Sequence, residues 1–456
     1  MTTLLNDDET YEKIDRDPFE SLQTRTKLLL KEVNEECDRN LSVFQLSLSD
    51  TSLARAYGLP KIHKKDVPLR PIISLVGSPT YVLAKIFYEE PSPVVKPPAS
   101  HVDNSFDFKS KIANISIPTD YVLVSLDVVS LFTNVPLNLV LESLDRRYSD
   151  LSKSRLSFDK IREVMTFLFN NTYFKFNNVF YRQTYGIPMG SCISSLAVNL
   201  VMEDLEKHFL SVLKQHGCTP LFYYRYVDDT ILCINKKDIE LTVNVFNSYN
   251  EKLKFTHEVE QDKKLNFLDM SLINDNGRLL LDWYQKPSNT TRLLSYHSRH
   301  STQQKINIIY NLVDRATKLS DQQFHAKNIE KVRNLLRDND YPSAFVNRHV
   351  FKRMWTLKHF KPDSHTIGPN PTCKAILKLP HIDHFYDKCA NMLRKYNIKV
   401  IPTKSESLTS LITLGKDKID KLEKTGVVYH LKCMNCAKSY VGQTKRKLKI
   451  PVYWKI

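Results

Sequence analysis

FYYRYVDDTILCI, residues 222–234, decides how this chain is read. Apolar and aromatic runs flank Asp228-Asp229 on both sides, so the stretch reads as a β-hairpin with the acidic pair at its turn. Two carboxylates held together at a sheet edge repel unless a cation lies between them. Taken alone, the pair reads more readily as a solvated Asp-Asp turn, since such turns are common.

A second stretch changes that balance. YVLVSLDVVSLF, residues 121–132, is a continuous apolar strand candidate interrupted by Asp127. A charge in such a strand is costly unless it is paired or bound to metal. One strand carrying an Asp beside a hairpin carrying two can gather three carboxylates around divalent cations. Oxygen-only ligands suit Mg²⁺, with Mn²⁺ as its substitute. Two such ions about 3.5–4 Å apart stabilise both the attacking and the leaving oxygen of an in-line phosphoryl transfer.

Outward from these strands, residues 172–185 read as another hairpin turning at Asn177-Asn178, and residues 159–170 as a helix. A further helix spans about 191–208, with Ile193, Leu196, Ala197, Leu200 and Val201 on its apolar face. Residues 51–87 read as loop, strand, turn and strand, and the proline-rich stretch 88–100 must be irregular. Ser301 is a candidate N-cap for a helix carrying Ile306, Ile309, Leu312, Val313 and Ala316 on one side. Strands joined by hairpins, with helices between, predict an α+β fold rather than a doubly wound sheet.

Of the 456 residues, 42% are hydrophobic and 25% charged, the balance of a globular protein. The acidic amino terminus has no apolar core and does not read as a secretory signal. No run approaches the roughly 18 apolar residues of a membrane span. The eight cysteines are scattered, which suggests a reducing interior without a disulfide framework. Charge is uneven: residues 351–456 hold 22 Lys+Arg against 7 Asp+Glu, whereas residues 1–50 are acidic and read as helical. A basic tail of this size points to a polyanionic partner, with a merely solubilising surface as the plainer alternative.

Seven segments, in order, resemble the reverse transcriptases of Penelope-like retroelements, a group related to telomerase. They are YGLPKIHKKDVPLRPIIS (57–74), VDNSFDF (102–108), LVSLDVVSLFTNVP (123–136), YGIPMGSCISSLAVNLVMEDLE (185–206), YRYVDDTI (224–231), LNFLDMSL (265–272) and WYQKPSNTTRLLSYHSRHS (283–301). The resemblance implies a right-hand polymerase. Its parts would be an N-terminal helical segment (1–50), fingers (51–118), a palm with an antiparallel sheet (119–285), a helical thumb (286–350), a basic connector (351–424) and a partial GIY-YIG endonuclease hairpin (425–456). It implies an RNA template, a DNA primer and dNTPs as partners, and a nuclear site of action.

The resemblance also assigns roles. Asp127, Asp228 and Asp229 would hold two Mg²⁺ or Mn²⁺ ions, helped by the backbone carbonyl of Val128. Phe132 would pack under the sugar and exclude a 2′-hydroxyl, or else serve as core. Arg70 would meet the triphosphate, with Lys61, Lys64 and Lys65 as neighbouring candidates. Gly186, Met189 and Gly190 would touch the new base pair. Leu268, Asp269, Lys286 and Arg292 would hold primer and template, Asp269 in a structural part and Tyr284 and Tyr296 as further candidates.

At the carboxyl end, Val428-Tyr429 and Tyr440-Val441-Gly442 resemble the two GIY-YIG motifs. Residue 451 is Pro where the family has its catalytic Arg, and Arg446 matches a different position, so no nuclease activity is expected. A structural zinc needs four ligands and Cys433 and Cys436 supply two. Cys373, His381, His384 and Cys389 form a second set with unusual spacing, and reduced thiols account for both sets more simply. Two other readings stay open: a decayed element fragment that only binds nucleic acid, and a template-independent transferase.

Overall fold

The computed structural model describes residues 1–359 apart from 40, 49 and 62–65, and then 375–382, 385–403, 420–424, 426–432, 439–444 and 446–449. The fold is mixed α+β. Its centre is a four-stranded antiparallel sheet in the order β7-β8-β4-β9, with β4 at Tyr121–Val128, β7 at Phe222–Tyr226, β8 at Asp229–Asn235 and β9 at Phe255–Val259.

The apolar runs in this sheet are continuous because both faces are covered. Val124 and Leu126 of β4, with Leu232 and Ile234 of β8, point into a core shared with the helices Phe158–Asn170 and Ser194–Gln215. Leu123, Ile231 and Cys233 point the other way, into a core shared with β10 (Lys264–Phe267), β11 (Met270–Asp275) and β12 (Arg278–Trp283) and with the helices beyond. The period of two thus sends successive residues to opposite cores. Ser125 and Asp127 follow Leu123 on the second face, and there the cover ends: Ser125 is half-buried and Asp127 exposed.

A second sheet has the order β1-β6-β5-β2-β3, from β1 (Tyr11–Ile14), β2 (Ala54–Pro60), β3 (Leu69–Ser74), β5 (Tyr173–Phe176) and β6 (Val179–Gln183). It unites residues from three of the segments expected above, so the boundaries at 50 and 118 do not follow the sheets. The N-terminal segment holds a helix at Phe19–Glu36, but its strand β1 pairs with β6. Tyr11 seats edge-on against Phe174, which stacks on Tyr181 at 5.4 Å. The β5–β6 turn falls at Asn177 and Asn178, with φ of 48° and 63°, the left-handed pair that Asn tolerates.

Ser301 caps the helix Thr302–Lys318 in a capping box with Gln304. That helix packs with His325–Arg337 and Ser343–His359, and Ile309, Val313 and Ala316 are buried between them while Ile306 is only partly covered. The stretch expected as a connector holds a small unit instead. Here β13 (Ala375–Pro380) and β14 (Ile398–Thr403) run parallel, joined through the helix Phe385–Arg394. Finally β15 (Val427–Lys432) and β16 (Ser439–Thr444) form a hairpin that sets Tyr429 opposite Gly442. Among the described residues no helix is long and apolar enough to cross a membrane.

Candidate active site

Tyr226 pairs with Asp229 across the β7–β8 hairpin, which leaves Val227 and Asp228 as a two-residue turn. Val227 has φ 56°, while Asp228 is not left-handed, the shape of a turn that favours Gly at its first position. A β-branched residue there is strained and persists only where its surroundings hold it. On the other side of β8, Leu126 pairs with Thr230. One step further along this register, Asp127 stands beside Asp229.

The three carboxylates feel one another. The Asp229 carboxyl is pushed up to about 6, first by burial, then by the Asp228 carboxylate and, more weakly, by that of Asp127; Lys286 pulls it back. Among the described residues no three His, Cys, Asp or Glu side chains stand as a ready metal-holding group. The donor set nevertheless fits a hard divalent cation, because it is all oxygen and carries a mutual repulsion that a cation would relieve.

Asp127 and Asp229 line a cleft of about 710 Å³ together with Thr256, Leu268, Tyr284 and Lys286. The cleft continues into a groove of about 560 Å³ between β9 and β10, with Glu258 and Asn266 shared by both. Thr256 sits opposite Asp127 and Glu258 opposite Ser125, so β9 forms one wall. The sequence reading assigned nothing to β9, whose partners only the sheet reveals.

The loop at 186–190 is wedged between two backbones. A Cβ on Gly186 (φ 74°) would stand 2.3 Å from the Thr133 carbonyl oxygen, and one on Gly190 (φ 127°) 2.3 Å from that of Ile73. The Ile187 N–H donates to the Phe132 carbonyl at 2.6 Å, and the Ile73 N–H to the Met189 carbonyl at 2.7 Å. Phe132 is half-buried at the rim of the core, and Arg70 is exposed on β3, opposite Leu59. The Lys61 N–H donates to the Pro68 carbonyl at 2.9 Å across the β2–β3 connection. Lys64 and Lys65 lie outside the described residues.

The β10–β11 hairpin repeats the strained turn, with Leu268 at φ 51° ahead of Asp269. Leu268 faces the cleft. The Asp269 carboxylate instead accepts from the Ser105 hydroxyl at 3.0 Å and faces the Arg315 guanidinium at 3.4 Å, so it ties the helix Ser105–Lys111 to Thr302–Lys318. Lys286 reaches the cleft, whereas Arg292 is exposed away from its lining. Tyr296 packs on Tyr341 and Phe345 and is part of the helical core. Val128 ends β4 opposite Phe255. Cys433, Cys436, Cys373 and His384 lie outside the described residues.

Fold and site together define a mixed α+β protein with an acidic cleft at the ends of the two inner strands of its central sheet. Residues 62–278 match the reverse transcriptase (RNA-dependent DNA polymerase) family. All three aspartates fall inside that match. Residues 292–351 match the animal helix-turn-helix domain. No curated protein matches the chain.

Solved structures that are similar at a distance include two telomerases and a viral RNA polymerase complex. Telomerase from Candida albicans, in complex with a TWJ fragment of telomeric RNA, has 12% identity and a TM-score of 0.47, over 68% of this chain and 57% of that one. Its counterpart from Candida tropicalis has 14% identity and a TM-score of 0.42, over 69% and 56%. An RNA polymerase complex inside a dsRNA virus has 14% identity and a TM-score of 0.40, over 70% and 30%. The chain spans little more than half the length of these telomerases.

Proposed function

We propose that this chain is an RNA-directed DNA polymerase of a Penelope-like retroelement. The observation that carries the reading is the register of β4 against β8, which sets Asp127 beside Asp229 at the mouth of the cleft. Asp127, Asp228 and Asp229, with the Val128 carbonyl, would hold two Mg²⁺ or Mn²⁺ ions. When bound, such ions neutralise charge on the attacking 3′-oxygen and on the leaving pyrophosphate.

The remaining roles belong to the chain's own groups. Arg70 offers a rigid fork to triphosphate oxygens, with Lys61 near it as a point charge. Phe132 closes the space under the sugar against a 2′-hydroxyl. The Gly186–Met189–Gly190 backbone meets the new base pair. Leu268, Lys286 and Arg292 hold primer and template, and Asp269 braces the turn that presents Leu268. Fingers, palm and thumb are then the sheet around β2 and β3, the sheet around β4, and the helices of 302–359. In this reading the β15–β16 hairpin is a GIY-YIG remnant and the site of action is nuclear.

The test is extension of a DNA primer annealed to RNA, with dNTPs and Mg²⁺, beside a reaction lacking template. Extension that copies the RNA and vanishes without it supports the reading. Equal extension without template identifies a template-independent transferase. Folded protein that binds the hybrid and extends nothing is the binding fragment.

A further inference from the structure

Strand β7 carries a buried arginine, Arg225, one residue ahead of Tyr226, which closes the Val227-Asp228 turn. Tyr223 and Arg225 point to the face covered by the helix Ser194–Gln215, and Arg225 is only 1% exposed. A guanidinium in a core must be paired and its donors used. Nε of Arg225 donates to Glu206, itself 3% exposed, in a close ion pair. Nη1 donates to Asn199 Oδ1 at 3.1 Å and to the Val227 carbonyl at 2.9 Å.

The second of those acceptors is informative. Val227 is the left-handed residue of the turn, so its peptide orientation sets where Asp228 and Asp229 leave the strand. The guanidinium holds that peptide from below, fixed in turn by two side chains of one long helix. A third element locks on. The Ser100 hydroxyl donates to Glu206 at 2.6 Å, the Arg225 N–H to the Ser100 carbonyl at 2.8 Å, and the Val102 N–H to the Arg225 carbonyl at 2.9 Å.

We infer that Arg225 is a positioning residue that holds the strained Val227 peptide, and through it the Asp228-Asp229 pair, in place against the helix Ser194–Gln215. The inference rests on the polymerase reading for its reaction but not for its geometry. A buried ion pair kept only for stability would need Glu206 and no contact to Val227. Geometry of this kind matters, because a displacement of about 1 Å at reacting groups costs on the order of 100-fold in rate.

Arg225→Met alone leaves Glu206 as an unpaired buried charge and risks unfolding. The informative variant is therefore Arg225→Met with Glu206→Gln, beside Arg225→Lys. Two readouts are needed: the single-turnover rate of nucleotide addition, and Mn²⁺ binding followed by electron paramagnetic resonance, with Asp228→Ala as the blank. The double variant is expected to keep its fold and its affinity for template–primer. Its rate should fall about 10- to 100-fold, and its Mn²⁺ midpoint should rise at least about fivefold. Arg225→Lys, which keeps the charge without the fork, should fall between.

A folded double variant with the wild-type Mn²⁺ midpoint overturns the inference. Wild-type protein that binds Mn²⁺ through Asp228 yet extends no primer overturns the polymerase reading alone, and the midpoints still decide the role of Arg225. Wild-type protein that binds no Mn²⁺ overturns both.

Discussion

The Ile73 N–H donates to the Met189 carbonyl at 2.7 Å, so β3, the strand that carries Arg70, is hydrogen-bonded directly to the loop that carries Gly186 and Gly190. The approach is this close because Gly190 has no side chain: a Cβ there would lie 2.3 Å from the Ile73 carbonyl oxygen. Gly190→Ala should therefore destabilise the chain by about 2–4 kcal/mol. Gly77→Ala is the control, with φ 79° but nothing within 4 Å, and should cost about 1 kcal/mol from the backbone alone. Urea unfolding of the two variants decides; equal losses would mean that the close approach has no energetic weight.

Asp229 makes a prediction about stability. Its carboxyl is pushed up to about 6 in the folded chain, while its ordinary value is 3.8. Between those values the folded chain holds a proton that the unfolded chain has released. The group's stabilising contribution is therefore complete below about pH 4 and is lost as pH rises through about 6. Asp229→Asn should raise the stability of EDTA-treated protein at pH 8 by about 1–2 kcal/mol, allowing for the solvent that reaches the half-buried site. The gain should shrink at pH 4.5. Thermal melts at both values check this, and a variant less stable than wild type at pH 8 contradicts it.

Phe132 packs at the core rim while its carbonyl accepts from Ile187. Phe132→Val opens space at that rim without removing a carboxylate. The ratio of kcat/KM for dATP over ATP should fall at least about tenfold. An unchanged ratio with lowered stability would make the ring core and nothing more.

The helices of 302–359 are fastened to β12 through Asp282. The buried Asn328 amide donates to Asp282 Oδ1 at 2.9 Å and to the Ser320 hydroxyl at 3.2 Å, and Lys327 pairs with the other carboxylate oxygen at 3.1 Å. Asn328→Ala leaves Asp282 short of a partner and should cost about 1–3 kcal/mol. If these helices grip the product duplex, the variant should add the first nucleotide at the wild-type rate and release shorter products. Product lengths under single-hit conditions test this, and unaltered lengths would remove the helices from that role.

What the sequence disclosed follows from the range of the interactions involved. The β7–β8 and β5–β6 hairpins were legible because their turn residues and their period of two are local, and so was the Ser301 cap. Asp127 was legible because one charge broke an apolar strand. The pairing of β1 with β6, across more than 160 residues, has no local signal, because the four residues Tyr11–Ile14 do not alternate between apolar and polar. The parallel β13–β14 pair was hidden in the same way inside a stretch that reads as merely basic. Arg225 did leave a trace, a charge at a core-facing position of β7, but its partner Glu206 lies on a helix, and only the packed structure brings the two together.

The central claim is that Asp127, Asp228 and Asp229 together form a nucleotidyl-transfer site. The most direct test is single-nucleotide extension of a primer on an RNA template, comparing wild type with Asp127→Asn and Asp228→Ala, each first shown to melt and to bind the hybrid as wild type does. The account predicts extension by the wild type and a loss of at least about 1,000-fold in each variant, the scale of several kcal/mol of transition-state stabilisation. Extension at the wild-type rate by either variant would contradict it.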